Sequence, residues 1–135
     1  MNKKSVFLIS FCFLIFGGCS YDDFTVTTGI TGKVEYGQGD CMPVVDKKEF
    51  NMYNGKIFFI IKEEWDNLGN GDHEKLKNRS IKVMVKQGKL SAELPVDTYL
   101  VMPEELNVNS AENTITIKSG EVINKDFKFF KCTSY

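Results

Sequence analysis

The chain is poor in the residues that carry chemistry. It has one histidine, His73, and one tryptophan, Trp65, in 135 residues. A Ser/His/Asp arrangement needs a histidine held by a carboxylate and touching a nucleophile. Asp72 and Glu74 flank His73, but adjacency in sequence does not supply that geometry. His73 therefore reads as a solvated loop histidine, and no catalytic residue is assigned. An EF-hand is also missing. Counted from Asp66, the third position is Leu68 and the twelfth is Lys77, where oxygen ligands and a glutamate are needed. Asp66, Asn70 and Asp72 leave open a calcium loop of another kind; otherwise the segment is an Asn-Gly turn. No cofactor and no metal are expected. Positive charge is not in excess, with 17 basic against 18 acidic residues, which argues against a nucleic-acid partner. No repeat or low-complexity tract is present. No apolar run reaches the roughly 20 residues of a membrane-spanning helix.

The longest apolar run is residues 5–16, SVFLISFCFLIF, preceded by Lys3 and Lys4. A basic start, a short apolar middle and small residues at its end describe a secretory signal peptide. The run ends Phe16-Gly17-Gly18-Cys19. This resembles the lipobox of bacterial lipoproteins, with Phe16 where leucine is usual. The resemblance implies cleavage before Cys19 and acylation of Cys19 as the new N-terminus. Acyl chains contribute roughly 0.8 kcal/mol per buried methylene, so multiple acylation gives a stable anchor. Ser20 is unlike the aspartate that retains many lipoproteins at an inner membrane. Asp22 and Asp23 resemble the surface-export signal of Bacteroidetes-type lipoproteins. The expected organisation is a leader at 1–18, a lipidated tether at 19–24 and one domain at 25–135. The expected place is the outer membrane, on its surface.

Loss of Lys3 and Lys4 with the leader leaves 15 basic residues against 18 acidic, a net charge of about −3. The cysteines are at 12, 19, 41 and 132. On this reading Cys12 leaves with the leader and Cys19 takes lipid. Cys41 and Cys132 remain, an even pair in an exported, oxidising setting. A bridge between them would contribute about 4–5 kcal/mol in the chain-entropy model. The alternative is a metal site, for which two cysteines and one distant histidine are too few.

From Thr25 onward the chain reads as strands. Residues 25–36 (TVTTGITGKVEY) form one strand region, with Gly29 and Gly32 at a bend or bulge. Residues 56–62 (KIFFIIK) are continuously apolar in the middle, as in a strand covered on both faces. Ile81, Val83 and Val85 alternate with polar or exposed positions, and so do Leu90, Ala92 and Leu94. Gln87-Gly88 turns between them. Residues 98–102, 114–118 and 122–130 complete the set, the last two joined by a turn at Ser119-Gly120-Glu121. Residues 63–80 are polar, with at most a helical turn. Seven short strands at even spacing predict an antiparallel β-sandwich.

Gly32-Lys33-Val34 resembles the opening strand of carboxypeptidase-regulatory-like and transthyretin-like domains. Residues 88–101, GKLSAELPVDTYLV, resemble their middle, where a Leu-Pro-x-Gly-x-Tyr corner joins two strands. Asp97 stands where that pattern has glycine, a departure at a position where aspartate can still tolerate a left-handed backbone. Residues 120–129 resemble the final hairpin. The resemblance implies a transthyretin-like sandwich over most of residues 29–130. Gly39-Asp40-Cys41-Met42-Pro43 and the ending Lys131-Cys132-Thr133-Ser134-Tyr135 resemble small Bacteroidetes lipoproteins of this fold, which implies a Cys41–Cys132 bridge. Transthyretin-like hydrolases use several histidines, so that activity is not implied. A Lys–Asn isopeptide of the kind found in related surface domains would involve Lys33 and Asn124. The assisting acid would fall near Met102, and methionine cannot serve.

Trp65 and Tyr53 are the candidate ligand contacts, on the expectation that Trp65 stands exposed on the long polar segment. The preferred reading of Trp65 itself is a core or loop-anchoring tryptophan. Lys75, Lys77, Arg79, Lys82, Lys86 and Lys89 read as a solvated basic face. The chain is therefore expected to be a non-catalytic lipoprotein, held at the membrane by lipid on Cys19. Its β-sandwich would serve as an interaction or accessory module with an envelope protein partner. The competing expectation is a glycan- or small-ligand-binding module of the envelope.

Overall fold

The structure, a computed structural model, describes residues 25–42 and 48–134. The leader, the tether and Cys19 lie outside these residues. The described chain forms two sheets. Its strands are β1 (Gly29–Asp40), β2 (Asn51–Met52), β3 (Gly55–Ile61), β4 (Ile81–Val85), β5 (Lys89–Glu93), β6 (Thr98–Pro103), β7 (Thr114–Thr116), β8 (Val122–Asn124) and β9 (Phe127–Ser134). Helices α1 (Lys62–Leu68) and α2 (His73–Arg79) lie between β3 and β4.

Among the described residues there are nine strands where seven were expected. The two-residue β2 carries too little pattern to be read in sequence. The expected final strand is broken in two. The first sheet is built around β1, which pairs antiparallel with β5 and β2 on one side. On the other side β1 pairs in parallel with β8 and then β9. The expectation of a wholly antiparallel arrangement is corrected on this point. The break between β8 and β9 has a local cause. The Lys125 amide donates to the Thr31 carbonyl, and the next bond goes to a side chain, the Lys33 amide donating to Asp126 Oδ1 at 2.9 Å. A Cβ on Gly32 would lie 1.9 Å from the Lys125 carbonyl oxygen, so glycine is what lets β1 approach this bulge.

The second sheet runs β4-β3-β6-β7 and is antiparallel throughout. Its alternation meets the first sheet. Ile57, Phe59, Tyr99, Val101, Ile115 and Ile117 pack against Ile30, Val34, Leu90, Ala92, Phe127 and Phe129. The opposite face of β3 and β6 presents Phe58, Ile60, Leu100 and Met102, and these are buried too. That is why 56–62 reads as an unbroken apolar run. The cover is α1 and α2, which contribute Trp65, Leu76 and Leu68. The polar segment is therefore a helical pair rather than a loop. Asp72 caps α2 by accepting from the Lys75 amide at 3.0 Å.

The β4–β5 connection changes sheet. Gln87 and Gly88 both have positive φ, 51° and 72°, the signature of a two-residue type I′ turn. One bridge joins Lys86 to Lys89. Beyond it, β4 follows β3 and β5 follows β1. The turn is fastened by a triangle of backbone bonds: Val34 amide to Gly88 carbonyl, Gly88 amide to Tyr53 carbonyl, Tyr53 amide to Val34 carbonyl. Asp97 is not left-handed, since Gln87 is the non-glycine with positive φ among the described residues. Asp97 instead accepts from the Thr98 amide at 2.8 Å. The Tyr99 hydroxyl donates to the Pro95 carbonyl at 2.7 Å and holds the corner.

Cys41 and Cys132 form a disulfide, with Cα atoms 5.4 Å apart and a sequence separation of 91. It joins the end of β1 to β9, beside the pairing of Gly39 with Cys132.

Candidate functional site

Trp65 does not stand exposed. It is 9% accessible, sits in the core beneath α1, and packs on the His73 ring at a centroid distance of 4.3 Å. Its indole covers Phe58, Ile60 and Leu100, so Trp65 is the core tryptophan of the preferred reading and not the exposed ligand contact of the competing one. The calcium-loop residues are likewise employed locally. Asp66 pairs with Lys62, and Asp72 is the α2 cap. Lys33 is on the first sheet, paired with Glu35, while Met102 is buried in the second under the helices. Asn124 pairs in register with Thr31, two residues from Lys33 along β1, but the acid position is taken by Met102 and the crosslink has no assisting acid there.

The basic run is not a uniform solvated face. Lys77 is 2% accessible. Its Nζ donates to the Glu104 carbonyl at 3.0 Å, the Leu106 carbonyl at 3.1 Å and Asn107 Oδ1 at 3.2 Å. It also lies 5.1 Å from the Phe58 ring centroid. All three ammonium protons are used. Lys82 is pinned as well, donating to the Asn78 carbonyl over the same ring.

Two clefts have the character of sites. The first opens where β4 and β5 diverge. It has a volume of about 320 Å³ and an apolar floor of Phe59, Ile61, Ile81, Pro95 and Tyr99, with Glu64, Arg79 and Asp97 at the rim. Past the Lys86–Lys89 bridge, β4 has no second strand partner among the described residues. Ile81 and Met84 are exposed on it, and Val96 is exposed beside the cleft.

The second cleft lies at the β2 side of β1. Tyr53, the other candidate contact, is buried beside it with its hydroxyl 2.9 Å from both the Lys56 carbonyl and Glu105 Oε2. The Tyr36 ring lies 5.7 Å away, and its buried hydroxyl has no partner among the described residues. Sequence reasoning missed Tyr36 and Glu105, because no local pattern links them. Burial, then the hydrogen bond and charge of Glu105, push the Tyr53 phenol well above the ordinary tyrosine range. Burial first, and Glu105 second, raise Tyr36; burial first, and Asp97 second, raise Tyr99.

The sign of this coupling sets an alkaline limit. The phenols stay protonated in the folded chain where the unfolded chain has released its protons. Their stabilisation is complete below the ordinary tyrosine value of about 10 and is lost as pH rises through it toward the folded values. The expected result is a lower denaturant midpoint at about pH 11 than at about pH 9, with a flatter decline in Tyr53→Phe. Equal slopes in the two proteins would overturn this assignment.

Comparison with family models, with curated proteins and with solved structures returned no match.

Proposed function

We propose that the chain is a non-catalytic interaction module, displayed at the outer membrane and on its surface by lipid on Cys19. The leader, the Phe16-Gly17-Gly18-Cys19 boundary and the acidic pair Asp22-Asp23 support the anchor. A transthyretin-like assignment draws its support from the two facing sheets and from the corner at Pro95-Val96-Asp97-Thr98-Tyr99. The observation that carries the interaction reading is the mouth between β4 and β5. There an open strand edge borders an apolar cleft. An extended segment of an envelope protein can add to β4 through its backbone and place an apolar side chain over Phe59 and Tyr99. Lysines commonly guard such edges. Here Lys82 is drawn back over Phe58 and leaves Met84 as the exposed neighbour.

The test is recovery of the full-length protein from its own membranes in mild detergent, with mass spectrometry of what accompanies it. Wild type is expected to bring down one partner in stoichiometric amount. A variant with Ile81→Asp and Met84→Lys is expected to lose it while keeping the wild-type unfolding temperature. Cys19→Ser is expected to move the protein out of the membrane fraction. Recovery of the lipoprotein alone, or a partner indifferent to the β4 substitutions, would sink the interaction reading.

A further inference from the structure

The chain enters the sandwich at a fixed point. The Thr27 amide donates to Glu93 Oε2 at 2.9 Å, the Thr27 hydroxyl to Glu93 Oε1 at 2.7 Å, and the Thr28 amide to Glu93 Oε1 at 3.1 Å. Thr28 in turn ties down two neighbouring loops. Its carbonyl accepts from the Leu94 amide at 3.0 Å, and its hydroxyl accepts from the Gly120 amide at 2.9 Å. Residues 94–97 and 117–121 therefore flank the entry point. Each loop brings an exposed apolar side chain to this end of the domain, Val96 at 58% and Val122 at 38% accessibility.

Reach decides which part of the domain can face a bilayer that holds Cys19. Thr25 is six residues on from Cys19. Fully extended, such a stretch covers at most about 20 Å. β1 has 12 residues. At strand rise it is about 36 Å long. The Cys41–Cys132 end thus lies a whole strand away from Thr28, beyond what the tether can bridge. Side-on poses fare worse than an end-on one. The outer face of the first sheet carries Lys33, Glu35 and Lys128. The β4 edge has Ile81 and Met84, but its open backbone groups would go unsatisfied in lipid. The backbone beside the two valines is already occupied. Pro95 has no amide, its carbonyl takes the Tyr99 hydroxyl, and the Asp97 carbonyl takes the Ile117 amide. Val122 begins β8, in register with Gly29.

We propose that the end of the sandwich bearing Val96 and Val122 is a membrane-contact surface, with both valines resting among the lipid headgroups. The inference rests on the lipid anchor at Cys19. Asp97 stands beside Val96, and Lys118 and Glu121 stand near Val122, so this end has mixed charge. The contact is therefore apolar and indifferent to the charge of the lipid. The mouth at β4 opens near the same end, since Pro95 and Asp97 line it, and a segment adding to β4 is met close to the bilayer.

The experiment follows amide exchange in the full-length lipoprotein held in nanodiscs, one set of zwitterionic lipid and one containing anionic lipid. Cys19→Ser in solution is the reference. Exchange at residues 94–98 and 119–123 is expected to slow about threefold in both nanodiscs, with residues 37–40 and 128–132 unchanged. Val96→Asp with Val122→Asp is expected to stay in the membrane fraction through its lipid and to keep the unfolding temperature, but to lose the slowing. Unchanged exchange at 94–98 and 119–123, slowing at the disulfide end instead, slowing only on anionic lipid, or slowing that survives the two aspartates would each overturn the contact surface while leaving the anchor intact. Wild type outside the membrane fraction, or Cys19→Ser still within it, would overturn the anchor and the contact surface together.

Discussion

Replacing Cys41 and Cys132 together by serine is expected to lower the unfolding temperature by more than about 10 °C, the largest effect of any change considered. The bridge spans 91 residues, so its removal frees a long loop in the unfolded ensemble. Chain entropy puts that at about 4–5 kcal/mol. A domain of this size loses roughly 4 °C per kcal/mol. The folded chain itself should change little, because β1 and β9 are paired in parallel from Val34–Phe127 to Asp40–Ser134 without help from sulfur. The measurement is thermal unfolding of wild type and the double variant, with wild type under reducing conditions as a third sample. Reduced wild type should match the variant. A shift of only a degree or two would mean that the pairing of β1 with β9 persists in the unfolded chain and already restricts it.

Lys77→Met is expected to cost about 3 kcal/mol. Methionine keeps the apolar stem but leaves the Glu104 and Leu106 carbonyls and Asn107 Oδ1 without their donor. These acceptors belong to the segment after β6, which is also tied down by the Glu104 amide to Lys56, the Leu106 amide to Pro103, the Tyr53 hydroxyl to Glu105 and the Asn107 side-chain amide to Glu74. The damage is therefore expected to be local as well as global. Amide exchange should quicken at residues 104–108 before it does in β3 or β6. A loss under about 0.5 kcal/mol, the scale of an ordinary surface change, would return Lys77 to the solvated face. Burial lowers the pKa of Lys77 from the ordinary lysine value. Between the two values the unfolded chain binds the proton more tightly, so this group's contribution rises with pH there, opposite in sign to the tyrosines.

Lys77 also illustrates what a sequence conceals. It sits in a run with Lys75, Arg79 and Lys82, and charge periodicity alone makes it one more solvated cation. Only the folded chain brings three acceptors from 27 to 30 residues away to its ammonium. The helices were hidden for a related reason. Each has seven residues, too short to persist without tertiary support, and their apolar content is limited to Trp65, Leu68 and Leu76. Their existence could have been inferred indirectly. The run KIFFIIK demands cover on both faces, and residues 63–80 are the nearest chain able to supply it. The turns and alternating strands were legible because their signals are local: Gln87-Gly88, Ser119-Gly120-Glu121, and Ile81/Val83/Val85 against Leu90/Ala92/Leu94. The polar cleft was only half legible. Tyr53 could be singled out, but Tyr36 and Glu105 reach it through β1 and the chain after β6.

The placement of β1 also governs when the chain can fold. Its neighbours on one side, β8 and β9, are the latest strands to be synthesised, and the parallel pairing needs both ends of the domain at once. Such non-local pairing is slow to nucleate, and it cannot begin while the ribosome still holds residues 122–134. The first sheet thus stays incomplete until residues 122–134 have been made. Oxidation of Cys41 with Cys132 then locks the parallel pairing of β1 with β9 in place.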